Sequence, residues 1–241
     1  MSHIKSTALI CLLSLSLFSC ASKPLNIEEA NVVIDNIEST LNDSTFNFPT
    51  KITINKLTKK SNQYIDKTIV RFSLDDLYFY HSKGFDETTL NEQWIYVNKK
   101  DEKLYKVTSK TENNKSYREY EVTDYNEDTS FFTSVYQKIK DLIISECANF
   151  KETLSIYETL INENNSSVNV KISSDTKKDI ELDASISKTN YEINASHSFE
   201  NYLPKVSNIY LVNENKEEKN FETKYYYNGV NITRPNIHNF K

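Results

Sequence analysis

Two blocks of the sequence alternate between apolar and polar residues with a period of two. In the first block Val70 and Phe72 share one side of an extended chain, while Arg71 faces the other way. In the second block Leu182 and Ala184 alternate with polar residues in the same manner. Such alternation is typical of strands that bury one face. Because short polar turns separate the strands, each block predicts an antiparallel meander.

Two other segments repeat apolar residues every three or four positions, which is the spacing of a helix face. The first runs from Leu25 to Leu41, and the second from about Asp128 to Glu163. The second is either one long helix or two helices that meet near Phe150. The order helix, sheet, helix, sheet predicts an α+β fold with one large antiparallel sheet, polar on its outer side and covered by the helices on the other.

The amino-terminal segment has the features of a secretory signal. Lys5 precedes an apolar run from Ala8 to Phe18, which is too short for a spanning helix of about 20 residues. The following Ser19-Cys20 makes Leu17 to Cys20 resemble the lipobox of bacterial lipoproteins, in which the signal is removed and the cysteine is lipidated. The alternative is an ordinary cleaved signal followed by an incidental cysteine.

The lipobox implies a domain organisation and a location. We expect a signal peptide at residues 1–19, a lipidated Cys20 with a short tether at 20–24, and a single domain at 25–241. The two chains of a diacylglyceryl cysteine suffice for stable anchoring. The protein is therefore predicted to lie in the bacterial cell envelope, lipid-anchored on the extracytoplasmic face of a membrane.

Composition argues against several functional classes. The net charge is −5, which disfavours nucleic acid as a partner. The two glycines, Gly84 and Gly229, allow neither a glycine-rich phosphate loop nor a nucleophile elbow. The histidines and cysteines lack metal-ligand spacing. We therefore expect no cofactor, no metal and no enzymatic activity, although a cleft that brings His81 or His197 to a carboxylate would favour an enzyme.

Aromatic and aliphatic side chains are the candidates for lining an apolar cavity, since pockets for apolar ligands use these residue types. Ordinary packing in the core is the alternative, because large aromatics also suit a half-buried strand. The candidates are Tyr78, Tyr80, Trp94, Tyr96, Phe132, Ile139, Ile143, Tyr191, Phe199, Tyr225 and Tyr227.

A family resemblance rests on the same order of elements and on the closing segment from Tyr225 to Pro235. There a short aromatic strand passes through a turn at Asn228-Gly229 into a stretch that contains Ile232 and stops at proline. This resembles the last strand of the LolA-like lipoprotein carrier superfamily, which includes the LppX–LprG group. The resemblance implies an open half-barrel, a large twisted sheet with the N-terminal and central helices on its concave face, which holds lipid or acyl chains.

Two functions follow as expectations. The first is a membrane-anchored lipoprotein that binds or carries an apolar or amphiphilic ligand in the half-barrel, with the helices as a lid. The alternative is a cell-surface interaction or structural lipoprotein with a packed core and no ligand. The sequence names no protein partner for either.

Overall fold

The computed structural model describes residues 27–60, 63–86, 89–113, 115–125, 129–160, 166–172, 178–188, 191–213, 215, 217–228 and 232. The predicted signal peptide, Cys20 and the tether lie outside these residues. So do residues 229–231 and 233–235 of the closing segment on which the family resemblance rests.

The described residues form two helices and eleven strands. Helix α1 spans Ile27–Asn42 and helix α2 spans Thr129–Leu160, so the central helical segment is one continuous helix. The strands are β1 (Ile52–Lys60), β2 (Gln63–Phe72), β3 (Asp76–Asp86), β4 (Thr89–Asn98), β5 (Lys103–Glu112), β6 (Lys115–Asp124), β7 (Ser166–Ile172), β8 (Ile180–Lys188), β9 (Tyr191–Glu200), β10 (Leu203–Val212) and β11 (Glu218–Tyr226).

All eleven strands belong to one antiparallel sheet in the order β6-β5-β4-β3-β2-β1-β11-β10-β9-β8-β7. The two meanders are joined at the centre, where β1 pairs with β11, and the sheet is not closed, which gives an open half-barrel. This confirms the predicted α+β class. Helix α2 connects the two edge strands; its 32 residues give it a length of about 48 Å, comparable to ten strand spacings of about 4.8 Å.

Both helices pack on the same surface of the sheet, called here the helix-facing surface. Helix α1 buries the predicted apolar stripe, which includes Ile34, Ile37 and Leu41. Lys151 of α2 bridges Asp35 and Glu38 of α1, which ties the helices together. Within the described part of the chain, neither helix is long and apolar enough to cross a membrane.

Candidate functional site

The predicted lining residues divide between the two surfaces of the sheet. Phe132, Ile139 and Ile143 of α2 are buried in the core, where they face Phe199 and Tyr225 of the sheet side. All five belong to one continuous apolar cluster between α2 and the helix-facing surface of the sheet. Two ring pairs connect α2 to the sheet. The Phe72 ring stacks on Tyr136 at 5.9 Å, and the Phe150 ring meets Phe199 edge-on at 6.0 Å.

Four other candidates lie on the opposite surface, called here the outer surface. Leu77 and Val97 belong to the helix-covered core, so their strand neighbours point to the other side of the sheet. These neighbours form an aromatic ladder of adjacent strands. Its ring pairs are Tyr80–Trp94 at 5.3 Å and Tyr96–Tyr105 at 6.0 Å, with the Arg71 guanidinium 5.3 Å from the centre of the Tyr78 ring. Tyr78, Tyr80, Trp94 and Tyr96 therefore do not share a cavity with the α2 residues.

The last two candidates have separate surroundings. The Tyr227 hydroxyl donates to the Pro204 carbonyl at 2.8 Å, and burial raises the pKa of the phenol. This tyrosine borders a cavity of about 680 Å³ between residues 47–51, the β9–β10 turn and the end of β11. Tyr191 begins β9, but its side chain lies outside what the structure describes.

A buried histidine joins α2 to the sheet. His197 of β9 is 3% exposed, with Thr153 Oγ1 at 3.0 Å from Nε2 and Ser207 Oγ at 3.0 Å from Nδ1. Because the Thr153 hydroxyl donates to the Asn149 carbonyl, it accepts from the imidazole, and the Ser207 hydroxyl donates to Nδ1. The neutral ring is thus satisfied at both nitrogens. Burial lowers the pKa of His197, and the charge of Glu146 opposes this only in part.

The lowered pKa predicts that acid weakens the fold through His197. An unfolded histidine has a pKa of about 6.5, so below that pH the unfolded chain binds more protons than the native one. The free energy of unfolding should therefore fall as the pH drops below about 6.5, by at most about 1.4 kcal/mol per pH unit from this group. Urea denaturation of the protein and of His197→Asn across this range measures the difference. Equal pH dependence in both proteins would contradict the prediction.

Cys147 lies on the buried stripe of α2 and is 0% exposed. Burial, with a smaller effect of the Glu38 carboxylate, raises the pKa of its thiol to about 12. Since the thiolate is the reactive form, we expect native Cys147 to react with a disulfide reagent roughly 1,000-fold more slowly than in denaturant near pH 8. A protein that begins after Cys20 isolates this thiol, and comparable rates in both states would rule out the buried position.

The helix-facing surface changes from apolar to charged along β2 to β5. Cross-strand neighbours form four successive rows, each about 7 Å from the next. The first row lies beneath the start of α2, where Phe72 contacts Phe132. In order, the rows are Phe72, Leu77, Val97 and Leu104; then Val70, Phe79, Ile95 and Lys106; then Thr68, His81, Gln93 and Thr108; and then Asp66, Lys83, Asn91 and Lys110.

Six residues of the last two rows, all on β3 to β5, form the floor of a polar cavity of about 640 Å³ that is open to solvent: His81, Gln93, Thr108, Lys83, Asn91 and Lys110. Strand β6 supplies one side of it with Tyr117 and Glu119, and Glu112 lies at the end of β5. His81 Nε2 lies 3.4 Å from the Asp66 carboxylate on the same surface. The candidate site is thus one continuous surface, apolar beneath α2 and charged at the cavity.

This cavity is not apparent from the sequence, which predicts no role for Lys83 or Lys110. These residues are distant in sequence and become neighbours only through the register of three hairpins. The available signal was the shared parity of residues 79, 81 and 83, which places them on one side of β3.

Among the residues that the structure describes, no group of three or more histidines, cysteines and acidic residues is placed to hold a metal ion. No protein-family model matches the sequence, and no curated protein matches it either.

Proposed function

We propose that the protein is a membrane-anchored lipoprotein that binds an amphiphilic ligand on the helix-facing surface of the half-barrel. The single observation behind this proposal is the gradient from an apolar, helix-covered floor to a charged, open cavity. The polarity changes over about 20 Å, three row spacings, which is the length scale of one amphiphile. The anchor is Cys20, as inferred from the lipobox.

Helix α2 would act as the movable cover. Each strand of the sheet is held by backbone hydrogen bonds to its neighbours, whereas α2 meets the sheet through side chains. Moving α2 away from Phe72 exposes the apolar rows without breaking the sheet. An acyl chain that replaces these contacts regains about 0.8 kcal/mol for each methylene that it buries.

Native mass spectrometry tests this proposal on a protein that begins after Cys20, so that the anchor contributes no lipid. After expression in bacteria, we expect a native mass that exceeds the denatured mass by one lipid, with that lipid recovered in organic extract. A bare native mass, with no uptake of added phospholipid or fatty acid, would contradict the proposal.

A pair of matched variants locates the ligand. Ile95→Lys places a charge on the apolar row next to the cavity, so lipid uptake should fall. Tyr120→Lys makes the corresponding change on the outer surface, where Tyr120 is 42% exposed, and uptake should persist. Loss of uptake in both variants, or in neither, would place the ligand elsewhere.

The alternative function, an interaction lipoprotein without a ligand, gains one specific observation. The outer surface carries the half-buried Tyr78, Tyr80 and Trp94 and, on β6, the exposed Tyr120, whereas Tyr96 and Tyr105 of the same aromatic ladder are buried. A ligand-free protein whose native mass stays bare would favour this function.

The enzyme hypothesis has less support. His81 and Asp66 have the geometry of an oriented base, but within the described residues no serine, threonine or cysteine hydrogen-bonds to His81.

A further inference from the structure

The polar cavity carries charges of both signs at its open end. The positive charges are the ammonium groups of Lys83 and Lys110, and the imidazole of His81 lines the same cavity. The negative charges are the carboxylates of Glu112 and Glu119. Both lysines and both glutamates are exposed, so the charges lie at the rim, where a ligand would enter from solvent.

The sheet register fixes how these charges are arranged. Lys83 and Lys110 occupy the same row on β3 and β5, two strand spacings or about 10 Å apart. Their long side chains can therefore reach a common anion that lies over Asn91 between them. Glu119 and Tyr117 stand on β6, beyond Lys110 and farther from His81. The two lysines thus stand on β3 and β5, with Glu112 at the end of β5 beside Lys110, and a carboxylate and a phenol ring lie next to them on β6.

Two other carboxylates near the cavity already have partners, and the first of them, Asp66, lies 3.4 Å from His81 Nε2. The Glu92 carboxylate accepts a hydrogen bond from the Tyr80 hydroxyl at 2.9 Å, and both residues belong to the outer surface by strand alternation. Lys110 also lies 2.6 Å from Glu112, which keeps positive and negative charge side by side at the rim. An anion alone would face the carboxylate of Glu119, and a cation alone would face the two lysines.

We propose that this cavity binds the zwitterionic head of a phosphate-containing amphiphile such as phosphatidylethanolamine. The phosphate lies between Lys83 and Lys110 with His81 beside it, in charge-assisted hydrogen bonds. The ammonium group lies against Glu119 and the face of the Tyr117 ring. The acyl chains leave in the direction of Phe79 and Ile95, toward the apolar row. This inference rests on the proposed function and names its ligand class.

The test uses the protein that begins after Cys20, loaded from vesicles that contain equal amounts of phosphatidylethanolamine and phosphatidylglycerol. Native mass spectrometry then counts each complex. We expect the zwitterionic lipid to be preferred by about fivefold, the value of one exposed charge pair of about 1 kcal/mol. The preference should shrink with added salt, because salt screens exposed charges.

Charge variants identify the residues responsible. Glu119→Gln should shift the bound population toward phosphatidylglycerol, and the double variant of Lys83→Gln and Lys110→Gln should lower binding of both lipids. Lys60→Gln is the control, since Lys60 forms an exposed pair with Glu217 outside this cavity. Unchanged thermal unfolding of each variant checks that the fold is retained.

The outcomes separate this inference from the proposed function. Uptake of both lipids without preference, unchanged in Glu119→Gln, overturns the head site and leaves amphiphile binding intact. Uptake of no lipid overturns both. Glycerophosphoethanolamine, which has the same head and no acyl chains, should bind much more weakly than the lipid; equal binding would make the cavity a site for a free zwitterion and overturn the lipid assignment.

Discussion

Replacing Phe150 with alanine should lower the free energy of unfolding by about 3–5 kcal/mol. The side chain is fully buried between α2 and the sheet, where its ring meets Phe199 at 6.0 Å and His197 at 6.2 Å. Alanine loses the transfer free energy of the ring and leaves a cavity that helix and strands cannot close without moving. Urea denaturation followed by circular dichroism measures the change.

Ile156→Ala is the matched control for this prediction. Ile156 lies on the same helix but is 48% exposed, so its replacement should change the stability by less than about 1 kcal/mol. If Phe150→Ala and Ile156→Ala lower the free energy of unfolding by the same amount, α2 does not pack on the sheet through the stripe that contains Phe150.

That stripe shows what periodicity alone can predict. Phe132, Ile143, Cys147 and Leu154 recur at helical spacing, and all four are buried. The decision between one helix and two was not available from the sequence, since an apolar stripe continues across a break as readily as along a helix. The structure shows a continuous helix through residues 150–152.

The aromatic strand β3 shows where the sequence pattern is insufficient. Alternation assigns residues to two faces but names the buried face only when the other face is polar. Leu77 and Phe79 face the helices, while Tyr78 and Tyr80 face away, and both pairs are large and apolar. The choice follows from the register with Phe72, which depends on the hairpin geometry rather than on local composition.

Two buried polar residues between α2 and the sheet, His197 and Glu146, differ in how far their burial follows from the sequence pattern. His197 shares its strand face with Ile193 and Phe199, and the structure places it in the core with both ring nitrogens hydrogen-bonded. Glu146 gave no such signal, since a charged residue beside an apolar stripe is normally assigned to solvent. It is 5% exposed because Tyr225 and Asn149 supply its hydrogen bonds.

Replacing Tyr225 with phenylalanine should lower the free energy of unfolding by about 1.5–3 kcal/mol, the value of a hydrogen bond to a charged group. The Tyr225 hydroxyl donates to Glu146 Oε1, while Asn149 donates to Oε2 at 3.0 Å. Phenylalanine keeps the packing but leaves a buried carboxylate oxygen without its donor. The adjacent Tyr226→Phe is the control, because Tyr226 is 46% exposed and its hydroxyl has access to water.

A double-mutant cycle distinguishes this hydrogen bond from a loss of packing. Glu146→Leu removes the buried charge, and the double variant with Tyr225→Phe replaces both partners by apolar groups. Each single variant leaves one buried polar partner unsatisfied, whereas the double variant leaves none. The double variant should therefore lose less unfolding free energy than the two single variants together, by at least about 1.5 kcal/mol. The same pair connects α2 to β11, so the cycle measures one of the polar contacts that the proposed movement of α2 would break. Additive single effects would show that the hydroxyl and the carboxylate act independently and that this hydrogen bond does not hold α2 on the sheet.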